Sequence, residues 1–175
     1  MRKIVLAAWQ VALQTEMSRR LPMFSVYKKK SPGKWPRLLK YHHLLPNGVQ
    51  RLIAFRPLDE EFDAYVGWAK NDRNPFENFV QLASEGQMDT FCGDAIMLPT
   101  ATIARRSGAT YWSFWNPPGE LTNNPTLFAV EFAKYYTKVL SEEEARDLVQ
   151  PSVSAAVTEI VDFCIPYLEA RFPIR

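Results

Sequence analysis

The sequence predicts an α+β fold, an antiparallel meander of about four to six strands packed against an N-terminal helix and C-terminal helices. Three observations predict it. Apolar residues recur at every fourth position up to Leu21, alternate with a period of two from Ser25 to Lys70, and return to helical stripes with capping residues in the last third. No linker, repeat or low-complexity tract interrupts the pattern, so residues 1–175 read as one domain.

The opening segment MRKIVLAAWQVALQTEM places two basic residues before an apolar stretch, as a secretion signal would. Val5, Trp9, Leu13, Met17 and Leu21 instead line one face of an amphipathic helix, with Ala8 and Ala12 beside them and Gln10, Gln14 and Ser18 on another face. No clear small-residue cleavage site follows, so the expectation is a mature helix. It should stop before Pro22, because the residue preceding a proline is pushed away from helical angles.

A short strand is expected over Met23 to Lys28. Leu39, Tyr41, His43 and Leu45 then share one face of a second strand, and Val49, Arg51, Ile53 and Phe55 share one face of a third. Asn47-Gly48 between them is a hairpin signal, since both residues tolerate the positive φ of a tight turn. After Pro57 to Glu61, the residues Phe62, Ala64, Val66 and Trp68 mark a further strand. From Pro75 to Thr102 no period is sustained, and the expectation is loops and short helical turns. Ala109 to Trp115 reads as another strand, with aromatic residues on both faces.

Asn124-Pro125 supplies a cap with proline at the first helical position, followed by the stripe Phe128, Phe132, Tyr135, Tyr136 and Val139. Ser141 with Glu144 forms a capping box for the next helix. Pro151 should break or restart that helix. Val153, Ala156, Val157, Ile160, Val161, Cys164 and Leu168 line the last apolar face, which Pro166 should kink near Asp162.

A composition of 47% apolar, 13% aromatic and 23% charged residues matches a globular domain and excludes a disordered tail, a collagenous repeat or a coiled-coil rod. Cys92 and Cys164 are too few and too far apart for a disulfide framework or a zinc site, which points to a reducing, cytoplasmic setting. The longest wholly apolar run, Ile4 to Trp9, is far short of the roughly 20 residues of a membrane-spanning helix. The net charge of +2 conceals an asymmetry. Residues 1–57 carry twelve Lys and Arg against the single acid Glu16, so the first part stands at +11 and the remainder at −9.

The basic cluster Lys28, Lys29, Lys30, Lys34, Arg37 and Lys40 is interleaved with Tyr27, Trp35 and Tyr41. Cations that neutralise phosphates beside rings that stack on bases make a nucleic-acid surface chemically reasonable. The same residues suit a solvated edge and loop, where lysines discourage strand pairing between molecules. His42 and His43 point to opposite faces if extended, and no metal-ligand spacing accompanies them. Asp59, Glu60, Glu61 and Asp63 offer carboxylates for a divalent cation but lack the spacing of a calcium loop, and read as a solvated turn. Ser107-Gly108 and Cys92-Gly93-Asp94 lack the strand-turn-helix context of a nucleophile. Of the five tryptophans, Trp9 and Trp68 fit core faces. In the strand Tyr111 to Trp115, either helices cover both sides or one aromatic face is left for a partner.

The order of helix, Leu-Pro-x-Phe, meander, Phe62-Asp63-Ala64-Tyr65-Val66-Gly67-Trp68-Ala69, Asn-Pro loop and Tyr111-Trp112-Ser113-Phe114-Trp115 resembles a group of uncharacterised bacterial α+β domains. The resemblance covers most of the chain as a pattern. It implies a small cytoplasmic protein without assigned catalytic residues, in a style shared by some immunity or accessory partners of secreted toxins.

Together these readings lead to the expectation of a non-enzymatic protein-binding module, an immunity or accessory protein that neutralises or escorts a bacterial toxin or effector of a secretion system. Lys28, Lys29, Lys30, Lys34, Trp35, Arg37, Arg105, Arg106, Trp112 and Trp115 form the expected partner surface, with no cofactor and no metal. The alternative is nucleic-acid binding through the basic segment 28–40. A third reading is a small metal-dependent hydrolase using Asp63, Asp89 or Asp94 with one histidine.

Overall fold

Helix α1 spans Lys3–Arg20 and buries Val5, Trp9, Leu13 and Met17 along its four-residue repeat. Arg19 and Arg20 occupy its last turn, where cations face the negative end of the helix dipole. Leu21, ahead of Pro22, closes it by donating its N–H to the Met17 carbonyl at 2.9 Å. The structure, a computed structural model, describes residues 1–28, 38–70, 95–105, 111–115, 121 and 123–171.

Among the described residues six strands form one antiparallel sheet. These are β1 (Ser25–Val26), β2 (Leu39–Leu44), β3 (Val49–Pro57), β4 (Glu61–Lys70), β5 (Ala95–Pro99) and β6 (Tyr111–Ser113). The order is β1-β2-β3-β4-β5, and β6 pairs with the start of β4, Phe62 lying opposite Trp112. Gly48 takes φ 81° in the β2–β3 turn, while the Asn47 side chain accepts from the Val49 N–H at 3.1 Å. That turn sets the register in which His43 faces Arg51 and Tyr41 faces Ile53.

Alternation then divides the sheet into two apolar faces. Tyr41, Ile53, Phe55, Phe62, Ala64 and Val66 pack in one cluster with α1, and Trp112 and Phe114 join them. Tyr27, Leu52, Ala54, Tyr65, Ala69 and Met97 form a second cluster on the other face. Strand β5 falls in the stretch expected to hold only loops and helical turns. A strand with apolar residues at successive positions shows no period of two, so Ala95-Ile96-Met97-Leu98-Pro99 carries no alternation to read. The short helix α2 (Thr100–Ile103) follows it directly and agrees with the expected helical turns.

Helix α3 (Pro125–Thr137) starts where Asn124 Oδ1 accepts from the Leu127 N–H at 3.1 Å. Helix α4 (Glu142–Glu159) starts at the Ser141–Glu144 capping box, both reciprocal bonds being present. Pro151 does not break α4. It lies inside the helix on an exposed position, and Asp147, whose carbonyl loses its partner, is also exposed to water. Val149 and Val153, both fully buried, hold the helix on either side of it. Pro166 follows a π-helical turn over Ile160–Cys164, which includes Asp162, the residue whose carbonyl its ring crowds, and α5 (Ile165–Arg171) continues the helical run beyond it.

Helices α1 and α4 run side by side in the same direction. Gln150 reaches Glu16 at 3.4 Å and Arg20 reaches Thr158 at 2.6 Å, while Ala145, Val149, Val153, Ala156 and Val157 fill the seam. By length and composition alone the continuous helical run Glu142–Arg171 would suffice to cross a bilayer. Here its apolar stripe packs in the same cluster as α1 and the sheet.

Candidate functional site

The β3–β4 turn, read from sequence as a solvated acidic run, divides its carboxylates between separate tasks. Glu60 takes φ 55°, a left-handed conformation uncommon outside glycine, and is almost fully buried at 2% exposure. Its carbonyl accepts from the Phe114 N–H at 3.0 Å, tying the turn to the end of β6. Its carboxylate receives Arg2 Nη2 at 3.0 Å, the Arg2 backbone N–H at 3.0 Å and the Tyr135 hydroxyl at 3.0 Å. Burial pushes the Glu60 carboxyl up, but these hydrogen bonds and the Arg2 charge outweigh it and hold the group below the usual carboxylate range. Arg2 also donates to the carbonyls of Tyr135 at 3.1 Å and Lys138 at 3.0 Å, so one guanidinium caps α3 and pairs with the turn.

Trp115, just beyond β6, forms the platform on which α3 rests. Its ring centroid lies 5.0 Å from Phe128, 5.0 Å from Phe132 and 5.5 Å from Tyr135, the last pair stacked. Phe128, Phe132 and Tyr135 of the α3 stripe are therefore turned inward onto Trp115, and Tyr136 of the same stripe is not. The rest of the helix is also apolar, yet no residue of α3 is buried. Leu127, Val130 and Tyr136 are each 40% exposed or more, and Val139, two residues beyond the helix, is 91% exposed. An apolar face of this kind beside charged neighbours is what a partner-binding surface presents.

The other sequence candidates separate. Lys28 is exposed and Arg105 is exposed in a left-handed conformation, φ 53°. Trp112 is buried and stacked on Phe62 at 5.4 Å, so it belongs to the core and not to a surface. Trp115 is covered by α3, while Tyr111 on the same face of the strand is 41% exposed, so that face is covered only in part. Lys40 is buried with its ammonium pushed down by desolvation, its Nζ 5.5 Å from the centre of the Tyr27 ring. Lys29, Lys30, Lys34, Trp35, Arg37, Asp89, Cys92, Asp94, Arg106 and Ser107 lie outside the described residues.

Asp63 is engaged by Arg56, whose Nε sits 3.1 Å from both carboxylate oxygens, and by the Tyr65 hydroxyl at 2.8 Å. His42 contacts Gln50 at 3.2 Å. The register sets His42 opposite Leu52 and Gly67, two strands and four residues from Asp63, about 16 Å by strand spacing. His43 points to the other face beside Arg51, which pairs with Glu169 of α5 at 3.4 Å. Neither histidine joins Asp63, and among the described residues no group of three or more His, Cys, Asp or Glu side chains is placed to hold a metal ion. Cys164 is a buried free thiol, pushed up to about 12 by burial and by Glu159.

The Arg2–Glu60–Tyr135 clamp left no signal in the sequence, because its members lie 58 and 75 residues apart. Comparison with protein-family models, curated proteins and solved structures finds no match to this chain.

Proposed function

We propose that the chain is a non-enzymatic protein-binding module that engages its partner through the outward face of α3. The observation that supports this reading is an apolar helix fixed on one side by Trp115 and the Arg2–Glu60 clamp, with Leu127, Val130, Tyr136 and Val139 left to solvent. Fixing the helix beforehand lowers the ordering cost of binding. The partner class that fits the resemblance of the sequence is a bacterial toxin or effector, which the module would neutralise or escort in the cytoplasm.

The test is site-specific photo-crosslinking in extract of the native host, with the probe at Val130 and a control probe at the exposed Gln14. The expected result is a discrete protein adduct at Val130 only, lost in the Leu127→Asp/Val130→Asp variant with the thermal midpoint unchanged. An adduct that survives the double variant, or none at Val130, overturns the proposal. The nucleic-acid reading draws less support, since Lys40, Tyr27 and Tyr41 are buried. An oligonucleotide titration in which Lys28→Ala, Lys29→Ala and Lys30→Ala together leave affinity unchanged would remove it.

A further inference from the structure

We draw no further inference here: the strongest candidate, the apolar groove between α1 and α4 lined by Ile4, Ala7, Ala8 and Val11, carries none, since its polar groups Glu142 and Arg146 stand exposed at the rim and nothing in the structure shows what covers it.

Discussion

Tyr41 and Glu60 are both buried polar side chains, and they affect stability in opposite ways. Tyr41 is 3% exposed, and its ring meets Phe55 edge-on at 6.1 Å. Its hydroxyl finds no hydrogen-bond partner among the described residues, and burial pushes it up to about 12. A buried hydroxyl without a partner costs about 1–3 kcal/mol, whereas the ring contributes apolar burial that phenylalanine would keep. Tyr41→Phe should therefore stabilise the protein by about 1 kcal/mol, seen as a higher urea midpoint at an unchanged slope. A lower midpoint would show that the hydroxyl is satisfied in solution. Glu60 is the converse case, since every described contact of its carboxylate is made. Glu60→Gln leaves the Arg2 guanidinium beside a neutral amide and should cost about 3 kcal/mol in the same measurement.

Helix α3 is held by the Trp115 ring on one side and by the Arg2–Glu60 clamp at its end. It has no buried residue of its own, and its aromatic stripe meets the rest of the molecule at Trp115. Trp115→Ala should loosen the helix locally while the sheet stays intact. Hydrogen exchange of amides 128–137 should then accelerate about tenfold or more, with those of β3 and β4 unchanged. Uniform acceleration across the chain would show instead that α3 and the sheet unfold together. The aromatic alternation of Tyr111 to Trp115 leaves two readings open, cover on both faces or one face left for a partner. The structure divides between them: Trp112 and Phe114 are buried and Trp115 lies under α3, while Tyr111 is exposed. Helix α1, the Asn47-Gly48 hairpin and both C-terminal caps were legible because each is written in residues a few positions apart. β5 was not, since Ala95 to Pro99 are apolar at every position and carry no alternation to mark a strand. Pro151 misled because the local rule against proline within a helix yields where Val149 and Val153 hold both flanks in the core. The Arg2–Glu60–Tyr135 clamp stayed invisible because contacts across such separations leave no periodic trace.

Across the whole molecule the opposed charges of the two parts of the chain are partly cohesive. Arg2 pairs with Glu60, Arg51 with Glu169 and Arg56 with Asp63, each pair joining the basic first 57 residues to the acidic remainder. Folding thus depends on charge states that acid removes. His43 is held below its ordinary 6.5, chiefly by burial and then by the Arg51 charge and the neighbouring His42, against the opposing pull of Glu169. Above that value the imidazole is neutral folded and unfolded alike, and it contributes nothing to the pH dependence. As pH falls below 6.5 the unfolded chain takes up the proton first, so stability declines until the folded value is passed. Glu60 is held below its ordinary 4.5, so its contribution is complete above 4.5 and is lost as pH falls through the folded value. Urea unfolding from about pH 7.5 to about pH 3 should show two descents with a shallower interval between them. His43→Gln should remove the upper descent and leave the lower one. Glu60→Gln should shrink the lower descent on top of its constant loss and leave the upper one in place. If His43→Gln leaves the slope between pH 6.5 and pH 5 unchanged, some other group carries that proton uptake and the assignment to the buried face of β2 fails.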